Sequence, residues 1–198
     1  MTMTDSSSNC ISPLGRIMEE GVKEIIGQDG MNAVFYLTGR GERESAGEEL
    51  ARMQIALERL YGARGGRGVA LRAGRAAFDR ILKQYGGEMG VKSLDYRLNP
   101  TPRRLRIGLE ALATQLTGLC DESIEVLEDE AAWIWRLAEC PLCRPGGADE
   151  PACSFFVGLL QEFTGWASGG KIYAVSETEC RASGHPACVV RIEKRPLE

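Results

Sequence analysis

From Pro13 onward the apolar positions recur every three or four residues, and after Cys120 they alternate instead. Leu14, Met18, Val22 and Ile25 form the stripe of a first helix, which Pro13 is suited to start. QDGMNAVFYLTGR predicts a second, shorter helix ended by Gly39, and GRGERESAG a charged connector. From Gly47 to Tyr61 the helical spacing returns with Leu50, Met53, Leu57 and Leu60. GARGGRG is expected to break it before another long helix, Val69 to Tyr85, which carries Leu71, Phe78, Ile81 and Leu82. GGEMGVKSLDYRLNPTP reads as a linker with two prolines. A helix from Arg103 to Leu119 follows, with Leu105, Leu109, Leu112 and Leu116 on one side.

The later segments have period two. In SIEVLEDE, Ile124 and Val126 face one way and Glu125 the other; in AAWIWRLAE, Trp133, Trp135 and Leu137 share a face opposite Ile134 and Arg136. The two predict a hairpin across Asp129–Glu130. PLCRPGGADEP is loop and ACSFFVGLLQEFTGWAS an apolar helix. KIYAVSETE and ACVVRIEK give two further strands around a glycine-containing turn at Arg181–Pro186. Five helices followed by a strand–strand–helix–strand–strand unit predict an α+β fold, N-terminal helices on a four-stranded, mostly antiparallel sheet. If the second and third strands lie parallel, the crossover helix returns the chain so that Cys140, Cys153 and Glu177 gather at one sheet end. Residues 1–12 read as a disordered tail and 13–198 as one domain.

Composition narrows the function. An apolar fraction of 43% supports a substantial core. The net charge of -4 speaks against nucleic acid as a partner. No apolar stretch is long enough to span a membrane, and the start lacks a secretory signal, so a cytoplasmic location with reduced thiols is expected.

That expectation bears on the seven cysteines. Cys10 reads as a tail residue and Cys120 as a buried thiol at a helix end. The other five, Cys140, Cys143, Cys153, Cys180 and Cys188, lie in or beside polar turns, where burying a small apolar group gains little. Cys140 and Cys143 form a C-x-x-C, whose tight turn aims two sulfurs at one point, and Glu177 adds a carboxylate near Cys180. A zinc-type ion is the favoured reading, and an iron–sulfur cluster the alternative. Five thiolates exceed the need of one tetrahedral ion. The single histidine, His185, sits in the turn between two of them; a solvent-facing turn residue is favoured over a catalytic base, although imidazole also binds zinc. GRGER and GARGGRG follow no strand and lack G-K-[ST], so they are not phosphate loops. Arg64, Arg67, Arg72 and Arg75 read as a solvated helix start.

The run CSFFVGLLQEFTGWASGGKIYAVSETECRASGHPACVVRIE resembles the C-terminal half of the vinyl-4-reductase, or hydrocarbon-binding, domain family. The shared pattern is a cysteine at a helix start, then E-x-x-C, a glycine-bearing turn and a final cysteine before an apolar strand. The opening LGRIMEEGVKEIIGQDGMNAVFYLTG is similar in character to that of the family. The resemblance implies a ligand-binding fold related to TRAPP transport-particle subunits. It also implies a zinc ion held by Cys153, Glu177, Cys180 and Cys188. ECPLC is similar to a variant in pigment-synthesis and archaeal relatives, and leaves Cys140 or Cys143 as alternative ligands in place of Glu177. A site closed by three thiolates and a carboxylate offers no open position for hydrolysis, so the metal is read as structural and the chain as a binder rather than an enzyme.

The expected ligand is a small hydrophobic or aromatic molecule in an apolar cavity lined by Trp133, Trp135, Phe156 and Tyr173. This cavity is expected between the sheet and the helices at 47–85, with Gly74 and Ala76–Ala77 leaving room. Apolar helix faces in the same region are candidates for a homodimer contact. Two other readings stand beside this one: a reductase or accessory factor in tetrapyrrole pigment synthesis, and a protein-interaction module of transport-particle type. No nicotinamide or flavin motif supports the former.

Overall fold

Two glycines divide the helical half into rods. The computed structural model describes residues 12–39, 46–120, 122–143 and 151–197. Helix α1, Pro13–Thr38, starts at Ser12, whose Oγ accepts the Gly15 N–H at 3.0 Å, and ends at Gly39. Ser12 is therefore the ordered, buried cap of α1 rather than part of a tail, and residues 1–11, Cys10 among them, lie outside the described residues. The predicted division of this segment into two helices falls at Gly27. Helix α2, Ala46–Tyr85, bends at Gly62, where φ is 73° and ψ 164°.

The predicted break over the whole of GARGGRG is corrected here: only Gly62 leaves helical geometry, and residues 63–68 belong to the next rod. The bend folds that rod back on its predecessor. A Cβ at Gly66 would come within 2.6 Å of the Glu58 nitrogen, so glycine is needed there for close approach and not for a break. The expected linker at 86–102 contains a short helix, α3, Leu94–Leu98, capped by Ser93 and ended at Asn99 before Pro100. Five residues are too few to show periodicity. Helix α4, Thr101–Cys120, turns Leu105, Leu109, Leu112 and Leu116 inward as the pattern predicts.

The sheet contains β1 (Ile124–Glu128), β2 (Ala132–Leu137), β3 (Ile172–Glu179) and β4 (Cys188–Leu197) in the order β1-β2-β4-β3. Every adjacent pair is antiparallel, so the fold is α+β as the sequence implied. The β1–β2 turn is held by Asp129, whose Oδ1 accepts the N–H groups of Ala131 and Ala132. With β4 antiparallel to both β2 and β3, those two strands run parallel with β4 between them. Helix α5, Ser154–Ser168, makes the crossover. One sheet face presents Trp133, Trp135, Leu137, Val190 and Ile192 to the core. The other carries exposed or half-buried polar residues joined by ion pairs, Arg136–Glu125 and Arg191–Asp129 among them, each contributing about 0–1 kcal/mol.

Helix α5 is apolar nearly all round because it is covered on both sides, by the sheet and by α2. Its approach to α2 is backbone to backbone. A Cβ at Gly158 would lie 1.9 Å from the Leu71 carbonyl oxygen, and one at Gly74 2.0 Å from that of Phe155. The space expected beside Gly74 for a cavity is thus filled by α5 itself. On the other side of α2, Gly21 of α1 lies against Ala73. Among the described residues no helix is long and apolar enough to cross a membrane.

Gly158→Ala must push α5 from α2 and is expected to lower stability by about 3 kcal/mol, or roughly 10 °C in thermal melting. Gly165→Ala, on the same helix with nothing within 4 Å, is expected to be neutral or stabilising by up to ~1 kcal/mol. Circular dichroism melts of the two variants side by side check the contrast.

Candidate metal centre

Strand order brings the donors together. The ends of β2 and β3 and the beginning of β4 lie at one edge of the sheet, with Leu137 opposite Cys188 and Glu177 opposite Val190. Cys140 and Cys143 occupy the turn after β2, closed by a Cys143 N–H donated to the Cys140 carbonyl. Cys153 is the N-cap of α5, returning to the same edge. Along β3 the alternation Tyr173, Val175, Glu177 continues the buried face into a carboxylate. After Cys180 a 3₁₀ turn at Arg181–Ser183 and Gly184, at φ 93°, bring Cys188 back beside it.

All five late cysteines are buried and none is bridged to another. Their sulfurs form a packed group: Cys140 to Cys153 at 3.2 Å, Cys143 to Cys188 at 3.3 Å, Cys153 to Cys188 at 3.6 Å and Cys180 to Cys188 at 3.9 Å. Two overlapping sets of four donors each lie within 4.8 Å of one another, Cys140, Cys143, Cys153 and Cys188 in one and Cys153, Glu177, Cys180 and Cys188 in the other. A tetrahedron with zinc–sulfur arms of 2.3 Å has edges of about 3.8 Å, close to these separations. Cys120 stays apart as the buried thiol expected, its Sγ donating to the Leu116 carbonyl.

The polar surroundings hold negative charge incompletely. The Cys153 N–H donates to Glu177 Oε2 at 2.8 Å, and the Arg181 N–H to Cys188 Sγ at 3.3 Å. Glu177 Oε1 is buried with no hydrogen-bond partner. Burial, with the Cys180 thiol beside it, pushes the Glu177 carboxyl up to about 8. Contacts with the other thiols, Cys140 first, raise Cys153 and Cys188 and lower Cys143. At Cys180 the contact with Cys143 acts upward, but those with Cys153 and Cys188 outweigh it and bring the thiol to about 5. Crowded sulfurs share too few protons among them, and a cation would replace those protons. The donor chemistry and the unsatisfied oxygen both fit a thiophilic ion such as zinc. An iron–sulfur cluster fits poorly, since inorganic sulfide between the irons would spread the thiolates farther than this group allows.

His185 belongs to neither set. Its Nδ1 lies 3.2 Å from the Cys180 carbonyl and 3.4 Å from the Cys180 nitrogen and the Ser183 hydroxyl, so it braces the turn. The aromatic residues singled out in sequence lie elsewhere. Trp133, Trp135 and Tyr173 are buried on the strands, and Phe156 on α5, edge-on to Phe155 at 5.9 Å. The alternation pattern did not reveal that Trp135 Nε1 and the Tyr96 hydroxyl are buried without partners. Tyr96 lies on the short helix that periodicity missed.

The vinyl-4-reductase domain family matches residues 133–194, the stretch from β2 to β4 that contains all five clustered cysteines and Glu177. The resemblance read from E-x-x-C and its flanking cysteines is borne out over that stretch. Among solved structures, the H-NOX protein from S. oneidensis in the Fe(II)NO ligation state shares the fold with a TM-score of 0.61 at 12% identity, over 96% of this chain and 100% of that one. The unliganded Fe(II) H-NOX protein from K. algicida gives 0.59 at 12% identity, over 95% and 99%. An H-NOX domain from Shewanella oneidensis in the Fe(II)CO state gives 0.57 at 15%, over 94% and 99%. At such identities the likeness concerns the fold. No curated protein matches the chain significantly.

Cys188 belongs to both donor sets. Cys188→Ser is expected to abolish metal uptake and lower the melting temperature by at least 10 °C, on the scale of about 2–4 °C per kcal/mol for a chain of this length. His185→Ala is expected to change neither. Metal content by plasma mass spectrometry and calorimetric melts, with and without chelator, check both.

Proposed function

We propose that this chain is a small-molecule-binding domain that takes a hydrophobic or aromatic ligand into its apolar interior, with zinc as a structural staple. Zinc would be held by Cys153, Glu177, Cys180 and Cys188, with Cys140 and Cys143 as the alternative ligands. Bound there, it would cross-link the ends of β2 and β3 to the starts of α5 and β4. The unbridged thiols support a reducing, cytoplasmic setting. The vinyl-4-reductase match supports this reading over part of the chain, whereas the ferrous state named for the H-NOX structures is a property of those proteins.

The observation that carries the ligand reading is the indole N–H of Trp135. It is fully buried on the core face of the sheet and donates to nothing. An unpaired buried donor costs about 1–3 kcal/mol, and small-ligand sites are apolar interiors with a few such anchors. The Tyr96 hydroxyl is in the same position, its pKa raised to about 12 by burial against the opposing effect of Arg104, so it stays a donor. The ligand would lie against Trp133, Trp135, Phe156 and Tyr173, apolar burial supplying affinity at about 25 cal/mol per Å².

Trp135→Phe removes the donor and leaves the apolar shape. The ligand-free protein should then melt no lower than wild type, while phenol, which offers an acceptor, should lose about tenfold in affinity relative to toluene. Calorimetric titration with both compounds reads this; equal losses would remove Trp135 as the anchor. If native mass spectrometry finds no co-purifying small molecule and neither compound binds, the ligand reading falls.

The same proposal takes the protein as a homodimer. Of the helix faces expected to make the contact, Leu50, Met53 and Leu57 are buried in the chain's own core. Ile55, Leu60 and Tyr61 of α2 remain exposed, as does Tyr36 of α1. Light scattering should give twice the chain mass for wild type and a monomer for a Leu60→Glu, Tyr61→Arg variant.

A further inference from the structure

The two sets of donors share Cys153 and Cys188, and each set is complete by itself. A single tetrahedral ion satisfies one set and strands two donors of the other, Cys180 with Glu177 or Cys140 with Cys143. Those residual groups are buried. Five thiolates and one carboxylate carry six negative charges; one divalent ion leaves four uncompensated in a dry interior and two ions leave two. Burying uncompensated charge is strongly unfavourable.

We propose that the site is dinuclear: one metal ion bound by Cys140, Cys143, Cys153 and Cys188, a second by Cys153, Cys188, Cys180 and Glu177, with the sulfurs of Cys153 and Cys188 bridging the two. Six donors with two of them shared fill eight coordination positions, which is two tetrahedra with nothing left over. The geometry agrees. Bridging sulfurs 3.6 Å apart, joined to each ion by arms of about 2.3 Å, close a four-membered ring with the metals about 3 Å apart. The outer sulfurs are set for the same tetrahedra, Cys140 3.2 Å from Cys153, Cys143 3.3 Å from Cys188 and Cys180 3.9 Å from Cys188. Glu177 completes the second ion with the buried oxygen that has no partner, because its other oxygen is engaged by the Cys153 N–H. Each thiol surrenders its proton as the ions enter.

This inference rests on the metal reading of the preceding subsection, and stoichiometry separates the two. The reduced, metal-stripped full chain is titrated with Zn²⁺ under native mass spectrometry and with Co²⁺ under optical and electron paramagnetic resonance spectroscopy. Two ions per chain are expected, with thiolate-to-cobalt absorption growing through the second equivalent. The cobalt resonance should be weakened at two equivalents by exchange through the shared sulfurs. One tightly held ion, or two that leave the resonance undiminished, overturns the bridged pair and leaves the mononuclear staple standing; no bound ion at all overturns both. Cys180→Ser, and separately the Cys140→Ser, Cys143→Ser pair, should each halve the stoichiometry to one ion with an undiminished cobalt signal. If a variant fails to fold, the wild-type titration decides alone.

Discussion

Everything at the functional edge of this molecule follows from β4 entering the sheet between two parallel strands. Had β4 paired on the outside of β3, the start of β4 would lie a strand farther from the end of β2, and Cys188 could not meet Cys143. Insertion between β2 and β3 places three strand termini side by side. The crossover helix then adds a fourth chain segment, because a connection between parallel strands must return to the edge from which the second strand departs. The thiols are close because the backbone topology leaves them nowhere else to be.

The price of that gathering is chemical: a cluster of sulfurs and a carboxylate placed where the core is otherwise apolar. Turns deliver most of these groups, and a β-strand delivers Glu177 by plain alternation, with the same face that carries Tyr173 and Val175. Buried groups of this kind destabilise a fold unless a cation compensates them. The cluster and the aromatic interior meet along α5, whose first residue follows Cys153 and whose next turn carries Phe155 and Phe156.

Much of this was legible in the sequence. Period two after Cys120 gave the four strands and the shared face of Trp133 and Trp135, because alternation against a one-sided core is a strong constraint. The five late cysteines stood out because polar turns are poor places to bury a small hydrophobe. The glycine-rich segment after Tyr61 misled, since composition cannot separate a glycine needed for positive φ, Gly62, from one needed for close packing, Gly66. Gly74 misled in the same way: a missing side chain reads as empty space until its neighbour is known. The unpaired indole of Trp135 was invisible, because a hydrogen bond that is not made leaves no trace in a pattern.

The crossing of α5 over α2 has a mechanical corollary. Where Gly158 and Gly74 let two main chains touch, no side chain stands between them to change rotamer and absorb a displacement. A guest wedged against Phe156 therefore moves a stiff rod coupled directly to its neighbour, and through α2 to α1, on the far side of the molecule from the sheet.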